Sequence, residues 1–393
     1  MPGSVVLGAA RTAIGKLGGA LAPLSAVDLG AVVVAEALER AGVPAHAVDH
    51  VLMGQVLQAG QGQNPARQAA VRGGLPMDVP AMTLNKVCLS GLNAVHLADL
   101  MIRAGEADVV VAGGMESMSQ APHLLAGARS GLRLGDAALV DAITADGLSC
   151  AFEHLAMGSA TERDAAAAGI GRAVQDAVAA RSHERAVGAT KSGRLAEEVV
   201  TVAVPRPRGE PVEVYEDEGA RPETSTEALA RLRPAFSPVG TITAGNSSQI
   251  SDGAAALVMA SLRAAERFGA KPMAEVVAYG QVAGPGTNLL TQPSRAIAAA
   301  LARAGLSVGD LSVIEINEAF AAVVLASARD LGVTAEALNP NGGAIALGHP
   351  IGMSGARLAL TLAYELHHRG GLGAAGLCGG GGQGDAAILR SLA

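Results

Sequence analysis

The sequence has few aromatic residues and no basic excess. It contains no tryptophan, 3 tyrosines and 4 phenylalanines among 393 residues, and its formal net charge is −7. Proteins that bind nucleic acid use basic patches for the phosphates and aromatic side chains for the bases. We therefore expect no nucleic-acid partner.

Cysteine is also scarce, because the chain has 3 cysteines, at Cys88, Cys150 and Cys378. Cysteines so few and so far apart exclude a disulfide framework and show no spacing typical of a metal site. The pattern indicates a reducing cytoplasm and no bound metal, with Cys150 as a buried structural thiol.

Long apolar runs are missing as well. Charged residues make up 17% and hydrophobic residues 50% of the chain, which excludes a disordered protein. No uninterrupted apolar run reaches the roughly 18 residues of a membrane span. Arg11 and Lys16 come early in the chain, so we expect neither a signal peptide nor a membrane partner.

An internal repeat is present. Four landmarks recur in the same order at offsets of 263 to 266 residues, which indicates two homologous halves. The landmarks are ALERAG at 37–42 and ALARAG at 300–305, the strand-like runs 48–52 and 311–316, the helix starts Ser90-Gly91 and Ser354-Gly355, and the strand ends Gly113-Gly114 and Gly379-Gly380.

Strands and helices alternate in each half, which predicts an α/β fold with helices covering a largely parallel sheet. We divide the chain into a first half, 1–118 plus 250–268, and a second half, 269–393. The more charged stretch 119–249 between them is predicted to be an inserted loop domain. The apolar run 251–261 is expected to complete the sheet of the first half.

Cys88 lies between an apolar segment and a helical pattern that starts at Ser90. This places the thiol on a strand-to-helix turn at a helix N-terminus, where aligned amides lower the pKa of a cysteine. A small buried core residue is the alternative, and the segment alone does not decide between them.

His349 ends a glycine-rich segment at 341–350. The repeat offset places it within two residues of the position equivalent to Cys88. If the halves pack about a pseudo-twofold axis, the two side chains face each other, and a cysteine beside a histidine is the usual activated thiol. Taken alone, His349 would be a hydrogen-bonded core histidine.

Cys378 lies in the glycine-rich segment 377–384. This segment contains a formal G-x-G-x-x-G pattern, but the nine residues after Gly384 leave no room for a dinucleotide-binding unit. A nicotinamide oxidoreductase is therefore disfavoured. Asn317 and Glu318 follow a strand, where they could cap a helix or hold a water or a histidine.

Together these segments resemble the thiolase family over nearly the whole chain. The resemblance implies a five-layer α-β-α-β-α core of two similar halves with an inserted loop domain. The matching motifs are Asn85 to Gly91, Leu232 to Phe236, Thr243 to Asn246, Asp252-Gly253, Asn317 to Ala321, Gly342 to Arg357 and Cys378 to Gly384.

The resemblance also implies the chemistry. Two acetyl-CoA would condense reversibly to acetoacetyl-CoA and CoA, with Cys88 acetylated and His349 activating it. Cys378 would move the α-proton of the second acetyl-CoA. One oxyanion hole would be formed by His349 and a water held by Asn317, and the other by the N–H groups of Cys88 and Gly380.

Three residues match CoA contacts of the family. Arg221 would lie near the nucleotide end, Ser248 would bind the pantetheine arm, and Met157 would lie near the acyl group; an exposed charge and a turn residue are the alternatives for the first two. Ala156 stands where short-chain members carry a histidine, and Gln249 where they often have glycine. The acyl-chain range therefore stays open.

The resemblance implies CoA thioesters as substrates, no separate cofactor, and a homo-oligomer, a dimer or a tetramer. A degradative 3-ketoacyl-CoA thiolase with a longer acyl range is the nearest alternative. A ketoacyl synthase is less favoured, because a second thiol base is the thiolase pattern. A non-catalytic CoA- or lipid-binding relative would keep the fold and lose the reactive groups.

Overall fold

The computed structural model describes residues 3–392. Most of the first half alternates strands and helices along the chain. Its elements are β1 (Val5–Thr12), β2 (Gly15–Lys16), α1 (Ala26–Ala41), β3 (His50–Gly54), α2 (Pro65–Arg72), β4 (Ala81–Leu84), α3 (Ser90–Ala104) and β5 (Val109–Ser117).

The middle of the chain is built from short strands and three helices. These are β6 (His123–Leu124), β7 (Val140–Asp141), α4 (Met157–Ala167), α5 (Arg172–Lys191), β8 (Val199–Val200), β9 (Val202–Val204), β10 (Val212–Val214) and α6 (Thr226–Ala230).

The chain then returns to long elements. These are β11 (Ser251–Ala260), α7 (Leu262–Phe268), β12 (Ala274–Ala283), α8 (Gln292–Ala304), β13 (Leu311–Ile316), α9 (Ala321–Leu331), α10 (Ala344–Leu347), α11 (Ser354–Arg369), β14 (Leu372–Gly379) and β15 (Gln383–Ser391).

The sheet shows the duplication. Its strand order is β13-β14-β15-β12-β1-β11-β5-β3-β4. The two halves therefore contribute equivalent four-strand units, which are β3-β5-β11-β1 and β13-β14-β15-β12. In each half the first pair is parallel, and the third strand runs antiparallel to the second. The halves meet where Val5 pairs with Glu275 and Val6 with Ala274 on β1 and β12. The strand predicted at 251–261 is β11, and it lies between β1 and β5.

The helices form three layers around this sheet. On the outside, α1 packs on β1 and β11, and α8 packs on β12 and β15. Between the halves, α3 and α11 contact each other and strands of both halves. The predicted five-layer α-β-α-β-α arrangement is confirmed.

Glycine allows the two central helices to approach closely. A Cβ on Gly91 would lie 2.6 Å from the backbone nitrogen of Ala356, and one on Gly355 would lie 2.4 Å from that of Leu92. Real Cβ contacts are never this short, so the crossing requires glycine on both helices. The two glycines stand at equivalent positions of the repeat.

Residues 119–249 are tied to both halves. Within this region α5 packs against α9 and α10 of the second half. On the first half, buried Arg11 donates to Glu198 at 3.0 Å and to Asp217 at 2.8 Å. Buried charges of this kind require such partners. The boundaries 118, 249 and 268 stay predictions from the sequence.

One helix of the described chain, over 87–104, is long and apolar enough by length and composition to cross a membrane. In the fold this stretch contains α3, the central helix of the first half. Its side chains Leu92 and Val95 are buried, as expected of a core helix between the strands of the two halves.

Candidate active site

Two thiols and a histidine line one small cavity at the junction of the halves. The cavity has a volume of about 60 Å³ and is lined by Cys88, Cys378, His349 and Gly380. We call it the reactive chamber. Its remaining lining is mostly apolar and consists of Val87, Gly147, Leu148, Met157, Ser248, Leu289, Ala319, Phe320 and Ile351.

Equivalent elements of the two halves deliver these groups. Cys88 comes two residues before α3, and Cys378 is the penultimate residue of β14. His349 follows α10, and Asn317 follows β13 directly. Cys88 and His349, which the repeat predicted to lie close together, line the same chamber.

The turn that carries Cys88 has a constrained backbone. Val87 has φ of 52°, in the left-handed region that a β-branched residue rarely adopts. Side-chain bonds hold this turn in place: Val87 N–H donates to Asn85 Oδ1 at 3.0 Å, and Ser90 Oγ donates to the Val87 carbonyl at 2.6 Å. Ser90 Oγ also accepts from Lys86 N–H at 2.8 Å. The sulfur is thus fixed by its neighbours along the chain.

The sequence-based expectation of a lowered pKa for Cys88 is wrong. Burial raises the pKa of this thiol to about 11, and the nearby carboxylate of Glu116 adds to the rise. The N–H groups of Gly380 and of Cys88 itself bond the sulfur and act in the opposite direction. Loss of hydration therefore outweighs the helix N-terminus, and the resting group is a thiol.

His349 is oriented by a serine. Its Nδ1 lies 2.5 Å from Ser354 Oγ, and that hydroxyl donates to the Pro350 carbonyl at 2.8 Å. Ser354 therefore accepts from Nδ1–H, which leaves Nε2 with its lone pair. Asn317 Nδ2 lies 3.3 Å from Nε2. Burial, and then the charge of Arg357, lower the pKa of His349 to about 4.

Cys378 is the more buried of the two chamber thiols, with 2% of its surface exposed. Burial raises its pKa far above the ordinary value, and a charge on Cys88 raises it further. Two thiolates would repel each other across the chamber. The pair therefore holds at most one negative charge in the free protein.

A carboxylate that the sequence analysis missed fixes the loop after His349. Buried Glu116 accepts from the N–H groups of Val56 and Gly352 at 2.9 Å and of Leu57 at 3.1 Å. It thus joins the second half's loop to the first half. Burial raises the pKa of Glu116 to about 7. A glutamate inside the buried strand β5 was the available signal.

The carboxylate of Glu318 fixes the segment before His349. It accepts from Ser182 Oγ at 2.5 Å, from Asn339 Nδ2 at 2.9 Å and from Ile345 N–H at 3.1 Å. Ser182 Oγ in turn accepts from Gly343 N–H at 3.1 Å. The sequence left the role of Glu318 open, and in the structure it positions the start of α10.

A larger groove leads from the reactive chamber. It has a volume of about 580 Å³ and contains Arg221, Ser248, Met157 and Ala156 in its wall. The two cavities share Leu148, Met157, Ser248 and Phe320. All three residues predicted to contact CoA therefore line one path, with Arg221 in the groove and Met157 and Ser248 at the chamber.

Cys150 lies outside both cavities and is buried. Its N–H donates to the Leu155 carbonyl, and its carbonyl accepts from His154 N–H. Within residues 3–392, no group of three His, Cys, Asp or Glu side chains is placed to hold a metal ion.

Known proteins resemble this chain over its full length. Residues 4–263 match the family model of the thiolase N-terminal domain, and residues 270–391 match that of the thiolase C-terminal domain. The chain is 55% identical to a probable acetyl-CoA acetyltransferase of Mycolicibacterium smegmatis, over 98% of this chain and 100% of that protein. It is 48% identical to the acetyl-CoA acetyltransferase of Cupriavidus necator, over 98% of each chain.

The solved structures include an equally complete match. The crystal structure of the Bacillus anthracis acetyl-CoA acetyltransferase superposes with a TM-score of 0.97 at 38% identity, covering 100% of this chain and 99% of that one. Sequence and structure agree with the resemblance carried by the motifs. The chain belongs to the thiolase family.

Proposed function

We propose that this protein is an acetyl-CoA C-acetyltransferase, which condenses two acetyl-CoA to acetoacetyl-CoA and CoA and catalyses the reverse thiolysis. The observation that carries the proposal is the convergence of Cys88, Cys378 and His349 on one chamber. Relatives named acetyl-CoA acetyltransferase, 46–55% identical over nearly the whole chain, support the substrate.

In the first half-reaction Cys88 is the nucleophile. His349 Nε2 takes the thiol proton as the sulfur attacks the thioester carbonyl, and the C–S bond to CoA breaks. The proton then passes from His349 to the departing CoA thiolate. A neutral imidazole is needed for this, which agrees with the lowered pKa of His349.

In the second half-reaction Cys378 is the base. Neutral His349 takes the thiol proton of Cys378, whose thiolate then takes the α-proton of a second acetyl-CoA. The resulting enolate attacks the acetyl group on Cys88. The Cys88–acyl bond breaks, and Cys88 leaves as a thiolate. His349 then returns its proton to this thiolate. Because acetylated Cys88 cannot carry the charge that opposes ionisation of Cys378, acetylation comes before the deprotonation of Cys378.

The negative oxygens need separate donors. The N–H groups of Cys88 and Gly380 already bond the Cys88 sulfur, and we assign them to the oxygen of the acetyl group. His349, protonated at Nε2 in this step, and Asn317 face the enolate oxygen, with their nitrogens 3.3 Å apart. Removing one such donor typically costs about 3 to 4 kcal/mol of barrier.

A broader degradative 3-ketoacyl-CoA thiolase is the second candidate, and Ala156 favours it. Ala156 lines the groove beside Met157, and its methyl group leaves space that an imidazole would fill.

We assign the CoA nucleotide to the Arg221 end of the groove and its pantetheine arm to Ser248.

We further propose a cytoplasmic location, a role in fatty acid metabolism, and a homo-oligomeric state, a dimer or a tetramer. The free thiols of Cys88, Cys150 and Cys378 support the location. Bound CoA thioesters are substrates in this scheme, and we propose that no separate cofactor is used.

CoA-dependent thiolysis tests the function. The same preparation is given acetoacetyl-CoA and a long-chain 3-ketoacyl-CoA, and the two values of kcat/KM are compared. A strong preference for acetoacetyl-CoA supports the acetyltransferase. Equal or better use of the long chain supports the degradative enzyme, and no turnover of either substrate contradicts both.

A further inference from the structure

The side-chain amide of Gln249 donates hydrogen bonds to backbone carbonyls close to the catalytic histidine. Its Nε2 lies 3.0 Å from the Ile345 carbonyl, 3.1 Å from that of Ala346 and 3.2 Å from that of Gly219. Two hydrogens are thus shared among three carbonyls. The sequence marked Gln249 as a change in the substrate pocket, and the structure shows its amide turned to these acceptors.

The helix before His349 leaves these carbonyls without partners. In an α-helix the carbonyls of residues 345 and 346 would accept from the N–H groups of residues 349 and 350. His349 N–H donates instead to the Gln249 carbonyl at 3.0 Å, and Pro350 has no N–H. The side chain of Gln249 supplies what α10 lacks.

The bonds are reciprocal, because Gln249 accepts from His349 and donates to the two middle residues of α10. The turn between them also leaves little freedom. Gly348 has φ of 116°, and a Cβ there would lie 2.4 Å from Ser251 Oγ. Ser251 Oγ itself donates to the Gln249 carbonyl at 2.9 Å. The direction in which the chain leaves α10 is therefore set by Gln249.

The third carbonyl extends this connection to the CoA groove. Gly219 lies two residues before Arg221, which lines the groove. A Cβ on Gly219 would lie 2.3 Å from the Ala346 carbonyl and 2.8 Å from Gln249 Nε2. The segment at Arg221 and the turn before His349 are thus in direct contact, with Gln249 between them.

We infer that Gln249 is a positioning residue for His349, because its amide closes α10 and its carbonyl holds the histidine backbone, so that Nε2 is aligned with Cys88. It acts through His349 and does not touch the reacting atoms. A displacement near 1 Å in an active site can cost roughly 100-fold in rate. Gln249 also lines the CoA groove, so loss of Gln249 should lower kcat by a larger factor than it raises the KM for CoA thioesters.

The first test uses Gln249→Leu, which keeps the size of the side chain and removes the donor. We expect kcat for acetoacetyl-CoA thiolysis to fall by roughly 10- to 100-fold and KM to change by less than about 3-fold. Gln249→Asn, whose amide is one methylene shorter, is the second variant and should show the same pattern. A raised KM with unchanged kcat, or no change at all, overturns the inference.

Gln120→Leu is the matched control. Gln120 is exposed and lines a separate surface cavity, so its kcat and KM should equal those of the unmodified protein. Thermal unfolding of all variants shows whether each is folded at the assay temperature. A loss of kcat as large in Gln120→Leu would mean that the effect is not specific to His349, and the inference would fail.

The second test does not need turnover, because the kinetic test rests on the proposed function. Alkylation of Cys88 by iodoacetamide at pH 8 is followed by mass spectrometry in four proteins: unmodified, Gln249→Leu, His349→Ala and the double variant. If Gln249 acts through His349, Gln249→Leu slows alkylation in the unmodified background and has no further effect on His349→Ala. An effect that persists in full without His349, or none in either background, overturns the inference. Absence of thiolysis by the unmodified protein would contradict the proposed function alone.

Discussion

The serines that begin the two central helices occupy equivalent positions in the two halves but hydrogen-bond to different groups. Ser90 Oγ accepts from the backbone N–H of Lys86 and holds the turn of the nucleophile. Ser354 Oγ lies at the same helix position and accepts from the His349 imidazole. Each hydroxyl also donates to a carbonyl of the preceding turn.

The difference shows what duplication supplies. Both halves provide a strand-to-helix turn, a serine and a glycine. The serine hydroxyl can accept one hydrogen bond besides the one it donates, and the glycine allows the helices to cross closely. One copy used these parts to fix a thiol, and the other used them to fix the tautomer of a base. The pair is complementary because the two turns face each other across one pseudo-twofold junction.

Removing the thiol from the first turn is the strongest way to break the comparison. Cys88→Ala should lower kcat for thiolysis by at least about 1,000-fold, because no acyl intermediate can form. Turnover and the intact mass after acetyl-CoA treatment check this. Cys150→Ala, which changes a thiol outside the chamber, should retain activity and the acetyl adduct. Acetylation of Cys88→Ala at another residue would contradict the assignment.

The pH dependence of alkylation separates the two thiols. In His349→Ala, which has no general base beside the sulfur, alkylation requires the thiolate. With the pKa of Cys88 at about 11, the thiolate fraction rises about tenfold per pH unit, so iodoacetamide should react about 100-fold faster at pH 10 than at pH 8. Glu116, with a pKa of about 7, is already ionised over this range. Cys378, more buried and with a higher pKa, should react later.

A plateau of the alkylation rate below pH 8 would contradict this prediction. It would mean that Cys88 rests as a thiolate even without His349. Peptide mapping of the alkylated protein identifies which cysteine has reacted.

The crossing of the central helices can be tested at Gly91. Gly91→Ala places a methyl group 2.6 Å from a backbone nitrogen, and overpacking of this kind should lower the free energy of unfolding by about 1–3 kcal/mol. Urea unfolding measures the change. Gly188→Ala on α5, where a Cβ meets nothing within 4 Å, should raise stability by up to about 1 kcal/mol. Equal effects at both sites would refute the close crossing.

Removing the hydroxyl of each serine should have the smallest effect on kcat. Ser354→Ala removes the acceptor of His349 Nδ1–H and should lower kcat by about tenfold, the value of a hydrogen bond of about 1.4 kcal/mol. Ser90→Ala should lower the stability of the Cys88 turn while the pH profile of kcat keeps its shape. A comparison of the two pH profiles decides, and identical profiles would show that Ser354 does not set the tautomer.

Much of this could be predicted because the information is local. The duplicated halves follow from the offset of the repeat, and the convergence of Cys88 and His349 follows from placing each on its turn. The wrong prediction concerns the pKa of Cys88. It weighed the helix N-terminus, which the sequence reveals, and omitted burial by the opposite half, which the sequence does not.

Positions that act across the junction were harder to recognise. Glu116 reads as one polar residue in an apolar strand, and its partners at residues 56, 57 and 352 belong to distant segments. Gln249 is an unusual residue for its position, but its hydrogen-bond acceptors are backbone carbonyls, which every residue has and which the sequence therefore does not identify. Val87 gives no sign of a left-handed backbone, since valine is among the residues least suited to it.

The shallow join between β1 and β12 has a consequence for how the molecule stays in one piece. Two residue pairs link these strands, while α3 and α11 bury their surfaces against each other and against both halves. Peptide continuity through residues 269–271, where Gly269 and Lys271 are exposed, therefore adds little once the chain has folded. A protein nicked there should copurify as two tightly associated fragments and keep its reactive chamber, in the manner of a noncovalent heterodimer.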